Sequence, residues 1–358
     1  MADERELFDV TIIGGGPAGL YAAFYSGLRE MKTKIIEFQP FLGGKINVYP
    51  EKVIWDVGGL PPTTGEKLIE FLVQQGTAFN PEVVLNEKVT AIDKDGDGMF
   101  VLRTASGRSH YSRTVILAIG YGILKPMKLN LEGADRYEAS NLHYTVKSIG
   151  RFRDKTVLIA GGGNSAIDWA NELSEFARMV YLTYRKDTLK GHEASVTMLE
   201  KNGVVCLPNT GIVRLIPSAS DEDRIGRVAL RDLEDGSTAE LEIDDLVVCH
   251  GYDRETDIIA NSNVRIEMKD EYCVKGTPSG ETSVPGLFAA GDILWHEGKL
   301  HLIAGCFQDA ANAVNRAKQY IAPDAPGWGM VSSHNELFKE RNRELKKRLF
   351  AELAAQKG

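Results

Sequence analysis

The sequence predicts an α/β chain with two parallel-sheet units and a helical tail, and three observations carry that prediction. The stretch "DVTIIGGGPAGLYAAF", Asp9–Phe24, runs an apolar strand into a glycine turn and on into an apolar segment of helical length. "KTVLIAGGGNSAIDWA", Lys155–Ala170, repeats the same layout in mid-chain. A length of 358 residues suits two domains of ordinary size better than one.

In the first unit, strand Val10–Ile13 meets Gly14-x-Gly16-x-x-Gly19, with Pro17 and Ala18 opening the helix. The spacing is that of a Rossmann-like dinucleotide turn. Gly14 permits the tight turn, Gly16 lets backbone approach a pyrophosphate, and Gly19 lets helix and strand pack closely. The helix N-terminus then offers N–H groups and partial positive charge to the phosphates. A second strand, "TKIIEF", ends at Glu37, roughly 20 residues on, where an acid receives a ribose hydroxyl pair.

The second unit has strand Thr156–Ala160, then Gly161-x-Gly163-x-x-Ala166, with Asn164 and Ser165 at the helix start. Alanine is an accepted variant at the last position. The next strand, "MVYLTYRK", ends on Tyr184, Arg185 and Lys186, with Lys190 and His192 close behind. A guanidinium and ammonium groups there attract a 2′-phosphate that a carboxylate would repel, so this site is expected to take NADP rather than NAD.

Composition narrows the rest. With 43% apolar and 26% charged residues the chain is globular, and a net charge of −8 gives no footprint for nucleic acid. No run of 18 apolar residues is present, so no membrane span is expected, and "MADERELFDV" lacks the plan of a signal peptide. Four widely spaced cysteines, Cys206, Cys249, Cys273 and Cys306, point to a reducing, cytoplasmic compartment. The histidines and cysteines have no metal-ligand spacing, so no metal is expected. From His334 onward the sequence reads as a helix, with Leu337, Phe338, Leu345, Leu349 and Leu353 near one stripe. Its Lys- and Arg-rich part, Lys339–Arg348, would suit an acidic electron carrier; a solvated helix capping a partner subunit suits it equally.

"TSVPGLFAAGDILWHEGKLHLIAGCFQDAANAVN", Thr282–Asn315, adds a strand, a Gly-Asp pair and a helix from Ile303. With these motifs the chain resembles the two-dinucleotide flavoprotein family that includes thioredoxin reductase, from about Phe8 to Tyr320. The resemblance implies FAD in the first site and NADPH in the second. The NADP domain, 121–252, would be inserted in an FAD domain formed by 1–120 and 253–326, with 327–358 as extension. It also implies that Gly291 and Asp292 reach the ribityl chain, that Gly120 borders the flavin, and that the Ile303 helix N-terminus faces it. "TVILAIGYG" and "LVVCHGYDRET" resemble the two crossings between domains.

The dithiol of the disulfide reductases is missing. "HYTVKSIGRF", before the second glycine turn, and "QPFLGGKINVYPEKVIW", after Glu37, contain no cysteine. That absence, with "LGGKINVYPEK", "NPEVVLNEKVTAI", "GGGNSAIDWA" and the tail "VSS", is similar to the thioredoxin-reductase-like branch of ferredoxin–NADP reductases. The likeness implies Tyr49 stacked on the flavin after Gly43 and Gly44, a backbone contact at Val89, an apolar contact at Leu124, and Ser333 (with Ser332) at the ring edge. This chain has Lys45 where the branch usually has glutamine, and Val331 where it often has a ring. The implied reaction is hydride transfer from NADPH to FAD, then single-electron steps to ferredoxin or flavodoxin in a homodimer, with no catalytic side chain named and His301 weighed as a proton donor. A reductase of small disulfides or quinones, and a flavin-based redox sensor, stand as alternatives.

Overall fold

The computed structural model describes residues 6–355 apart from Thr256 and Met330. Strand Leu7–Ile13 pairs in parallel with Thr33–Ile36 on one side and Ser109–Leu117 on the other. Side chains alternate across a strand, and here the alternation splits the interior. Val10 and Ile12 join a core with Leu20, Ala22, Ala310 and Val314, from helices Pro17–Leu28 and Ile303–Ile321. Ile13 joins the core on the other face, with Phe100, Leu102 and Leu117.

Strand Ser109–Leu117 is used twice along its outer edge. Its first residues, Ser109–Ser112, pair antiparallel with Phe100–Thr104, which also pairs with Val89–Lys94. Its last residues, Val115–Leu117, take Leu287–Ala289 in parallel. Segments far apart in sequence thus complete one seven-stranded sheet.

The residues between build a separate five-stranded parallel sheet in the order Leu142–His143, Asp245–Val248, Thr156–Ala160, Met179–Thr183, Val205–Leu207. Val157 and Ile159 pack against Ile167, Ala170 and Leu173 of helix Asn164–Leu173. Leu158 and Ala160 pack against Ile225, Val228 and Leu230 of the antiparallel sheet Thr210–Pro217, Ile225–Asp232 and Thr238–Glu242. The outgoing strand Ile123–Pro126 and the returning strand Tyr252–Glu255 pair antiparallel at the crossing, so the two passages form one ribbon.

The tail differs from the single helix expected from His334. Two short 3-10 turns, Ser332–His334 and Glu336–Phe338, precede helix Lys339–Ala355. The reason is local anchoring: the Phe338 ring sits 4.9 Å from Phe79 and 6.3 Å from Phe24, centroid to centroid, which redirects the chain before the helix starts. Upstream, the Tyr25 hydroxyl accepts the Gly329 N–H at 3.1 Å and Arg29 donates to the Pro326 carbonyl at 2.6 Å. Leu345 and Phe350 are exposed, so this chain does not itself bury that part of the expected stripe; the side chains of Leu337, Leu349 and Leu353 lie outside the described residues. Among the described residues no helix is long and apolar enough to cross a membrane.

Candidate active site

The first glycine turn is a backbone cradle. Gly14 has φ +108°, and a Cβ there would lie 2.4 Å from the Ala118 carbonyl oxygen; one on Gly19 would lie 1.9 Å from the Gly14 oxygen. Pro17 begins the helix, where its missing N–H costs nothing. Gly44, at φ +58°, faces Gly16 so closely that a Cβ on it would stand 2.7 Å from the Gly16 Cα. Glu37 closes the end of the cradle. Its carboxylate accepts the N–H groups of Gly15 at 2.6 Å and Gln39 at 2.8 Å. Burial pushes this carboxyl up, with those N–H groups pulling the other way.

The C-terminal segment closes the same site. Gly291, at φ +78°, comes so near the first helix that an added Cβ would be 3.0 Å from Ala18 Cβ. The next residue, Asp292, acts on Tyr49, whose hydroxyl is pushed up first by burial and then by the Asp292 and Asp56 carboxylates. Tyr49 ends the 3-10 turn Gly44–Val48 and packs against the cores of both units. Ile303 opens the long helix, Val89 is buried at the start of its strand, and Gly120 (φ +58°) leaves the sheet with open space around it. The side chain of Leu124 lies outside the described residues. Ser333 is exposed in the tail that runs along the Tyr25–Arg29 end of the first helix, and the chain does not bring it to the cavity described next. His301 is exposed as well.

The second glycine turn lines a cavity of about 980 Å³ together with the first unit. Gly161–Ser165 and Arg185 form one wall, and Lys45, Val48, Tyr49 and Lys52 form another. Gly161 has φ +151°, and a Cβ there would meet the Cys249 carbonyl oxygen at 2.4 Å. Ala166 is buried behind the turn, and the Asn164 side chain accepts the His192 N–H at 3.2 Å. Arg185, Lys186 and Lys190 are all exposed; of the three, Arg185 lines the cavity. Its charge reaches His250, whose imidazole pKa is lowered by burial first and by Arg185 second.

Lys52 and Trp169 were not foreseen. Lys52 Nζ lies 4.6 Å from the Trp169 ring centroid and 3.8 and 3.7 Å from Asp168 and Glu172, all on helix Asn164–Leu173. The signal was its place three residues after Tyr49, on the same loop. Tyr144, Tyr184, His250 and Tyr252 also line the cavity; residue type does not distinguish them from packing residues until the two sheets are placed together.

The chain matches the model of the pyridine nucleotide-disulphide oxidoreductase family over residues 8–317 and belongs to that family. It is 62% identical over 347 residues to the Bacillus cytotoxicus protein named ferredoxin–NADP reductase 1, across 97% of this chain and 99% of that one. It is 63% identical over 343 residues to ferredoxin–NADP reductase 2 of Exiguobacterium sibiricum, across 96% and 97%. In fold it is similar to the thioredoxin reductase of Lactococcus lactis, with TM-score 0.72 and 24% identity over 88% of this chain and 99% of that one. The cofactors are FAD and NADPH. The residues fit both: two glycine turns where a Cβ at Gly14, Gly19 or Gly161 would collide with backbone, an acid at the end of the first and a guanidinium at the end of the second.

None of the four cysteines is in a disulfide, and burial pushes Cys249 and Cys306 up to about 12. A thiol is nucleophilic as thiolate, so iodoacetamide at pH 8 is expected to label these two residues far more slowly in the native protein than after unfolding. Peptide mass spectrometry checks this, and fast native labelling of Cys306 would contradict it. Among the described residues no group of three or more His, Cys, Asp or Glu gathers to hold a metal ion.

Proposed function

We infer that this chain is a ferredoxin–NADP reductase, passing electrons between NADPH and ferredoxin or flavodoxin. The observation that carries the reading is the single cavity lined by Lys45 and Tyr49 of one unit and by Gly161–Ser165 and Arg185 of the other. A nicotinamide nucleotide on the second turn would reach into the same cavity that Tyr49 and Lys45 of the flavin-binding unit line. When bound, the flavin supplies the conversion this function needs, accepting two electrons as a hydride and releasing them singly.

The chain's own residues bind and orient. Gly14, Gly16 and Gly19 admit a pyrophosphate, Glu37 takes ribose hydroxyls, and Asp292 the ribityl chain. Tyr49 offers a ring face, Lys45 a cation 5.8 Å from the Tyr121 ring. Gly161, Gly163 and the Asn164 helix N-terminus receive the second pyrophosphate, and Arg185, flanked by Lys186 and Lys190, the 2′-phosphate. No side chain is needed as general acid or base. Residues 1–120 with 253–326 form the FAD domain, 121–252 the NADP domain, and 327–358 an extension; the enzyme acts as a cytoplasmic homodimer.

Anaerobic stopped-flow mixing of the yellow protein with NADPH or NADH tests the reading. Rapid bleaching by NADPH, slower bleaching by NADH, and fast recovery of colour on adding ferredoxin or flavodoxin are expected. Bleaching without recovery by either carrier would move the acceptor to a small disulfide or quinone. Failure of NADPH to bleach the flavin would favour a redox-sensing binding protein.

A further inference from the structure

Beneath the Gly291–Asp292 turn lies an ion pair that the cofactor contacts do not use. Lys299 and Asp309 pair directly, with side chains 3% and 7% exposed. Both polar backbone groups of Gly291 are taken by this pair: its N–H donates to Asp309 Oδ2 at 3.1 Å, and its carbonyl accepts from Lys299 Nζ at 2.9 Å. His296 Nε2 stands 3.4 Å from the other Asp309 oxygen. Asp309 belongs to helix Ile303–Ile321 and Lys299 to the loop before it, so the pair ties turn, loop and helix together.

Resting on the flavin reading above, we propose that Lys299 and Asp309 are positioning residues that lock the Gly291–Asp292 turn to the Ile303 helix and so set how tightly FAD is held. A buried pair is a weak device for stability, because desolvating two charges offsets most of their attraction. Its distinctive property is geometric, and the geometry here converges on one residue. Gly291 adopts a φ of +78°, and its N–H and carbonyl are both held by the paired Asp309 and Lys299 side chains. That restrains the peptide that leads into the following residue, Asp292. Of the two elements assigned to the flavin from this part of the chain, Asp292 directly follows the tied Gly291, and Ile303 opens the helix that carries Asp309. Asp309, Lys299 and Asp292 all act on the buried Cys306 thiol, so they share one water-poor neighbourhood. Freeing the turn would leave the fold of both sheets intact and let Asp292 wander.

The test measures FAD release from diluted holoenzyme by the recovery of flavin fluorescence, for wild type, Lys299→Met, Lys299→Arg and Asp292→Ala, and for Lys299→Met combined with Asp292→Ala. Lys299→Met is expected to weaken FAD binding by about tenfold, the scale of a lost hydrogen bond to a charged group. Lys299→Arg should recover part of the loss, and the loss should largely vanish when Asp292 is already alanine. If Lys299→Met fails to fold, the pair of changes Lys299→Met and Asp309→Leu removes the tie without leaving a lone buried charge, and it undergoes the same measurement. A lowered melting temperature with FAD affinity within about twofold of wild type would overturn the proposal, as would a loss of the same size with and without Asp292. Wild-type protein that holds no FAD would overturn the flavin reading, and this proposal with it; tight wild-type binding with unaffected variants overturns the proposal alone.

Discussion

Gly161→Ala is expected to abolish reduction by NADPH in a protein that still folds and still carries its flavin. The methyl group would stand 2.4 Å from the Cys249 carbonyl oxygen, with further contacts at 3.1 Å to the Cys249 carbonyl carbon and 3.2 Å to Ala166 Cβ. A φ of +151° adds backbone strain for any residue with a side chain. Relief requires the end of strand Thr156–Ala160 to part from strand Asp245–Val248, which it holds through the 2.7 Å bond from the Cys249 N–H to the Ala160 carbonyl. The turn that receives the pyrophosphate moves with it. A loss of at least about a hundredfold in kcat/KM for NADPH follows, on the scale of an overpacked, strained site. Chemical bleaching by dithionite should remain intact, because the first glycine turn is untouched. Gly163 is the control: a Cβ there meets open space, so Gly163→Ala should keep its melting temperature and lose affinity for NADPH only. Wild-type NADPH kinetics in Gly161→Ala would show that the second turn does not carry the nucleotide.

Both strand–turn–helix units were legible because their geometry is local. Gly14, Gly19 and Gly161 are required by contacts to residues in the turn itself or at the end of the neighbouring strand. Strand Thr156–Ala160 and the helix start at Ile303 emerge where the sequence put them. What escaped was assembled over long separations. The edge of Ser109–Leu117 is divided between Phe100–Thr104 and Leu287–Ala289; a strand is legible in the Leu287 stretch, but not the edge it joins. Lys52 gains its meaning from Trp169, Asp168 and Glu172 across the gap between the units. Lys299 and Asp309 look like an ordinary surface lysine and a helical aspartate until the fold buries both. The tail failed for a related reason: its stripe suggested continuous helix, while the Phe24–Phe79–Phe338 cluster fixes a break before Lys339.

Nucleotide preference should rest on Arg185. Replacing it by alanine is expected to lower kcat/KM for NADPH roughly tenfold, and Arg185→Glu about a hundredfold, while kcat/KM for NADH changes little. The asymmetry follows from chemistry: the 2′-phosphate is the sole group by which the two nucleotides differ, and Arg185 is an exposed cation that lines the cavity just past the end of the strand after the second glycine turn. Lys186→Ala and Lys190→Ala should have smaller effects, since neither side chain lines that cavity. The exposure of Arg185 adds a second signature. A solvent-facing charge pair is screened by salt, so the wild-type preference for NADPH should shrink as ionic strength rises, and Arg185→Ala should lose most of that salt dependence. Arg185→Lys separates point charge from fork: a lysine keeps the charge but not the bidentate geometry, and an intermediate preference is expected. Equal losses for NADPH and NADH in Arg185→Ala would mean that the residue holds the wall of the cavity rather than the phosphate.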